Sequence, residues 1–185
     1  MIGKSPWLHL PAAAMAAALG AWLAGSAWAA PIVTRTGTTP FYSPNVIMMA
    51  KQDGGLPAQV YGSPSRGVTP AAAIAPLRLP ATVGGGRIIP MAGGEAARTR
   101  LVLVFNSEDV SPEQACEAPS SIRERPVERG LEVYAVLCRG NRFFSHARLR
   151  DEAVGGIRDR RYRDSMEQLL LALMPPEDRA DDDLD

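Results

Sequence analysis

Histidine is nearly absent from this chain: among 185 residues only His9 and His146 carry an imidazole. No His-Glu-x-x-His, Gly-x-Ser-x-Gly or Ser-x-x-Lys occurs. That removes the common zinc-protease, serine-hydrolase and penicillin-binding signatures. Lysine is almost as scarce. Of the 20 basic residues only Lys4 and Lys51 are lysine, a bias that fits a GC-rich genome better than a binding role. A one-signed basic run is missing too. Arg123-Glu124-Arg125 and Arg158-Asp159-Arg160-Arg161-Tyr162-Arg163-Asp164 interleave their charges. This argues against nucleic acid as a partner, and the second cluster reads as a solvated helix start. Gly84-Gly85-Gly86 is followed by no Lys-Ser or Lys-Thr, so it reads as a flexible joint rather than a phosphate loop. No cofactor and no metal are expected.

Cysteine is limited to Cys116 and Cys138. Thiol-disulfide enzymes usually pair their cysteines as Cys-x-x-Cys, a spacing these two do not have. A metal site would have to be assembled from both cysteines and His146. The simpler expectation is a structural disulfide closing the excursion from Glu113 to Gly130, which is rich in Glu, Arg, Pro and Ser and has little to bury. On the chain-entropy model such a bridge is worth roughly 3 kcal/mol.

What is present begins with a leader. Lys4 precedes an apolar run from Trp7 to Leu23, broken by His9 and Pro11, and Ala27-Trp28-Ala29 has the small-x-small form that a signal peptidase reads. Residues 1–29 are therefore expected to be a signal peptide, with the mature protein starting at Ala30 in the periplasm or beyond. Kept uncleaved, the run from Trp7 is long enough to act as a membrane anchor. Leu23-Ala24-Gly25-Ser26 has serine where a lipoprotein signal needs cysteine.

Residues 30–44 show little periodicity and read as irregular. Residues 45–174 read as one α+β domain, and residues 175–185, ending Asp181-Asp182-Asp183-Leu184-Asp185, as a disordered acidic tail whose like charges repel. Within the domain, Asn45–Met49 and Gln59–Gly62 read as strands flanking the turn signal Asp53-Gly54-Gly55. Thr69-Pro70 opens a short helix bearing Ile74 and Leu77 on its buried side. Arg87–Pro90 is a short strand. Thr99–Asn106 is apolar on both faces, as in a central strand covered on both sides. Leu131–Arg150 reads as a hairpin around Gly140-Asn141. A two-residue loop there conflicts with the apolar alternation unless a bulge follows the turn, and the corrected register puts His146 on the polar face beside Arg148. Tyr162, Met166, Leu169, Leu170 and Leu173 mark one face of a last helix, capped by Asp159 and stopped by Pro175, with Leu171 and Met174 off that face. The sum is one mainly antiparallel sheet of about five strands with two helices.

Leu56-Pro57, Val60-Tyr61-Gly62, Leu103-Val104-Phe105-Asn106, Cys116, and Cys138-Arg139-Gly140 ahead of a Leu-rich helix ending at Pro175 together resemble a set of small uncharacterised exported proteins of proteobacteria, some with a lipoprotein signal. The resemblance implies an envelope location and the cysteine pair, and no activity. The expected role is thus an exported, non-catalytic binding or scaffolding protein, with another envelope protein as partner. Two alternatives stay open. One is a small hydrolase using the carboxylates Glu108, Asp109 and Glu113 beyond the central strand. The other is a thiol-redox protein using Cys116 and Cys138. Ser63 and Ser65 read as turn residues rather than nucleophiles.

Overall fold

A computed structural model describes residues 30–51, 55–91, 99–125 and 129–176. The expected signal peptide and the turn at Asp53-Gly54 lie outside them, as does the acidic run from residue 177 onward. Chain order is β1 (Ile32–Thr38), α1 (Pro44–Ala50), β2 (Gly55–Tyr61), α2 (Pro70–Ile74), β3 (Arg87–Pro90), β4 (Thr99–Phe105), α3 (Pro112–Glu117), β5 (Leu131–Arg139), β6 (Arg142–Asp151) and α4 (Arg160–Leu173), with 3₁₀ turns at Ala81–Val83 and Pro119–Ser121. The fold is α+β. Among the described residues six strands form one sheet in the order β1-β6-β5-β4-β2-β3.

That sheet is mixed: three of its five strand pairings are antiparallel, in line with the expectation of a mainly antiparallel sheet, and two are parallel. β2 runs parallel to both β3 and β4, while β4, β5, β6 and β1 alternate in direction. The cause is the connection after β2. It passes through α2 and a 3₁₀ turn before β3, and a crossover of that length returns the chain parallel to its start.

Two short segments also differ from the sequence reading. Asn45–Met49 is helical, not a strand. Ser43 accepts a hydrogen bond from the Asn45 N–H at 3.3 Å, Pro44 takes the first turn, and Ile47 is the buried residue. Capping serine plus Pro at the first position outweighs the strand preference of a short apolar run. The segment read as irregular contains β1, an edge strand held to β6 with a register break between Thr34 and Gly37. With α1 and α3 there are four α-helices among the described residues, twice the expected number.

Elsewhere the local signals hold. Thr69 accepts from the Ala72 N–H at 3.2 Å, and Ile74 and Leu77 are buried. β4 is buried at every residue. The hairpin has the two-residue turn and a register break between Leu137 and Cys138, so Cys138 faces Phe143 while Leu137 faces Ser145 and Val133 faces Leu149. Phe144 is the extra residue of that bulge. In α4 Asp159 accepts from the Arg161 N–H at 3.0 Å, and the five apolar residues expected on one face are buried. Met174, expected off that face, is fully buried as well.

The two faces of the sheet are covered unequally. α1, α2 and α4 enclose a core of 27 buried residues that takes Leu101, Leu103 and Phe105 from β4. The opposite face has eight, including Val102, Val104, Val110, Ala115 and both cysteines. Where β2 leaves the sheet, Gly62 has φ of 68° and a Cβ there would lie 2.3 Å from the Phe105 carbonyl oxygen, so only glycine fits. Ser63 then closes the turn, donating to the Ser65 and Val68 carbonyls at 2.6 and 3.1 Å. Among the described residues no helix is long and apolar enough to cross a membrane.

Candidate functional site

The residues nominated from sequence do not assemble into one site. The sulfurs of Cys116 and Cys138 lie 1.99 Å apart, at bonding distance, and join α3 to β5. Both residues are buried, and with the sulfurs bonded to each other neither is a thiolate for metal or substrate. Glu108, Asp109 and Glu113 are exposed. Asp109 pairs with Arg148 at 3.0 Å, and Glu113 sits in the first turn of α3. None of the three lines the cavities described below. This is an open, wet loop rather than a concave pocket around a buried carboxylate pair.

His146 and Arg148 do share a face, as the corrected register requires, but that face is not a solvent face. His146 is half-buried, with its ring 5.9 Å from Tyr134 and 5.8 Å from Phe143. The Arg148 guanidinium lies 5.1 Å over the Tyr134 ring and 3.7 Å from Glu132. The segment carrying α3 folds over them, which strand alternation alone does not reveal.

Arg100 is a buried cation that the sequence reading did not single out. It lies in β4 and is 2% exposed. It donates to Gln59 Oε1, the Gly140 carbonyl and the Cys116 carbonyl, each at 2.8 Å. Burial pulls its pKa down from the usual value. The signal available in sequence was a lone arginine inside an otherwise apolar central strand. At the end of β6, Asp151 accepts from Ser165 Oγ of α4 at 2.7 Å, the Ala153 N–H at 3.0 Å and Arg161 Nε at 2.9 Å. Burial raises its carboxyl, but those hydrogen bonds and the Arg161 charge outweigh it and hold the pKa below the ordinary value. Tyr162, in the first turn of α4, donates to the Ala73 carbonyl at 2.8 Å, and burial pushes its phenol up.

The most distinctive surface is a groove of about 490 Å³ at the hairpin end of the sheet, lined by Phe41, Val46, Arg139, Arg142, Phe143 and Phe144. Its position follows from local bonding. The Thr39 N–H donates to the Phe144 carbonyl and the Tyr42 N–H to the Thr39 carbonyl. Tyr42 turns inward to donate to the Pro175 carbonyl at 2.8 Å. Phe41, its neighbour, is left 74% exposed, and Met49, one helical turn on from Val46, is 79% exposed. Arg139 and Arg142 flank the Gly140-Asn141 turn and form no ion pair among the described residues. Aromatic and arginine side chains gathered at one exposed place are the composition of a protein-binding surface.

The other end of the sheet has two clefts meeting at Gly155 and Gly156. One, of about 680 Å³, includes Arg66, Arg129 and Glu152; the other, of about 460 Å³, includes Thr69 and Arg158. Here too the arginines Arg66, Arg129 and Arg158 form no ion pair among the described residues, while the acidic groups are engaged from within. Glu152 pairs with Arg150 at 3.1 Å. The Asp159 carboxylate occupies the α4 N-terminus, accepting from the Arg161 N–H and from the Gly155 N–H at 3.1 Å. These bonds hold its pKa below the usual value.

Comparison of the chain with protein-family models, with curated proteins and with solved structures gives no match in any of the three.

Proposed function

We propose that this chain is an exported, non-catalytic protein of the bacterial cell envelope, periplasmic or released. On this reading it binds or scaffolds another envelope protein through the Phe41 groove. The observation that carries the reading is the exposed Phe41 beside two arginines that form no ion pair among the described residues. The partner that suits such a surface is an acidic protein segment carrying an apolar side chain. The bonded cysteines support an oxidising compartment. Their burial weighs against redox cycling, and the open setting of Glu108, Asp109 and Glu113 weighs against the hydrolase.

A photo-reactive amino acid at position 41 tests the reading in living cells. The expected result is a crosslink to a defined envelope protein that disappears in the Arg139→Glu/Arg142→Glu variant. No crosslink, or one indifferent to those arginines, counts against it. So does hydrolase turnover that is lost in Glu108→Gln, or full-length protein found in the cytosol with both sulfurs reduced.

A further inference from the structure

The described chain leaves the fold beside the groove. α4 runs back from the Asp151 end of the sheet, Met174 is buried, and Thr82 Oγ1 donates to the Met174 carbonyl at 3.4 Å. One residue later the Pro175 carbonyl receives the Tyr42 hydroxyl, and Tyr42 is the neighbour of Phe41. The next residues are Glu177-Asp178-Arg179-Ala180-Asp181-Asp182-Asp183-Leu184-Asp185, six carboxylates against one arginine. We infer that this segment docks on the groove of its own chain, its carboxylates against Arg139 and Arg142 and Leu184 among Phe41, Phe143 and Phe144. The protein then carries an internal competitor for the surface through which it binds its partner.

Charge, reach and apolar content agree on this occupant. Arg139 and Arg142 have no ion pair among the described residues, and the run of aspartates relieves its self-repulsion by meeting them. Nine extended residues reach about 30 Å at most. The arginines at the other end, Arg66, Arg129 and Arg158, lie beyond the length of α4, about 21 Å for its 14 residues. Reaching them would leave little of the segment to bind with. Leu184 is the one large apolar side chain of the run, and the groove is where an apolar side chain finds aromatic neighbours. Exposed ion pairs are individually weak, but tethering places the segment at millimolar effective concentration, so a weak contact suffices.

The inference rests on the groove being a binding surface, and its test is separate from the crosslinking test. A nitroxide on Ala180→Cys is site-specific because Cys116 and Cys138 are bonded to each other. In the full-length chain, the amide signals of Phe41, Arg142 and Phe143 should be lost to paramagnetic broadening. They should return in Asp181→Asn/Asp182→Asn/Asp183→Asn, and also in about 1 M salt, where the screening length falls to about 3 Å. No broadening at the groove overturns the inference, as does broadening centred on Arg66 and Arg129. Broadening seen only between a spin-labelled chain and a separate isotope-labelled chain overturns it in favour of docking on a second copy. If the partner crosslink from position 41 survives while the broadening is absent, the binding surface stands and only the self-docking fails.

Discussion

The two faces of this sheet are held by different means. The face under α1, α2 and α4 buries 27 residues in one apolar cluster. The face under α3 buries eight and adds the Cys116–Cys138 bond, hydrogen bonds of Arg100 to Gln59, Gly140 and Cys116, and the Arg148 pairs with Asp109 and Glu132. Arg125 pairs with Glu132 along the same segment. Ordering a chain segment costs about 1–2 kcal/mol per residue in backbone entropy, and a polar segment buries too little apolar area to offset that. Where apolar side chains run out, covalent and charged fasteners take their place.

Neighbouring residues of β4 give the sharpest contrast, since Leu103 faces the large core and Val104 the small one. Leu103→Ala is expected to cost about 2–5 kcal/mol, and Val104→Ala about 1.5 kcal/mol, both read from urea unfolding. Equal losses would show that the two faces are packed alike. Next in size is the double variant Cys116→Ser/Cys138→Ser, with a loss of roughly 3 kcal/mol. Hydrogen exchange should rise across residues 106–125 and stay unchanged in α4; a rise in α4 would mean the faces are one cooperative unit. Arg100→Met leaves the Cys116 and Gly140 carbonyls without their donor and should cost about 1–3 kcal/mol. Combined with the cysteine variant, it should show a coupling of about 0.5–3 kcal/mol, whereas strict additivity would separate the two fasteners.

The smallest effect is expected in acid. The folded-state pKa of Asp151 is depressed, so just below pH 4 the unfolded chain binds the proton and the native one does not. The stability Asp151 contributes is therefore complete above about pH 4 and is lost as pH falls through the depressed value. Asp151→Asn should flatten that part of the stability-pH curve. An unchanged acid limb would show that Asp151 contributes no proton linkage to the large-core face.

The elements legible in the sequence were those whose pattern is local and long. α4 was visible in the spacing of Tyr162, Met166, Leu169, Leu170 and Leu173, and β4 in apolar residues on both faces. The bulge after Gly140-Asn141 was visible as a conflict between turn length and alternation. α1 was missed because the five residues from Asn45 are too few to separate the two periods, although Ser43-Pro44 carries the same start signal as Thr69-Pro70. β1 escaped because it is an edge strand whose partner, β6, lies more than a hundred residues later. The parallel direction of β2 is set by a crossover, which no strand records in its own residues. The groove was illegible for the same reason. Its lining comes from residues 41–46 and 139–144, which only the fold brings together, while the carboxylates that did stand out were neighbours in sequence and open to water.

Arg100 has a consequence for how the chain matures. It sits directly across from Cys138 in the β4–β5 ladder and grips the carbonyl of Cys116. A single guanidinium thus ties the strand beside one cysteine to the backbone of the other. After reduction, the chain is expected to reclose its bridge faster when that arginine is present than when it is replaced.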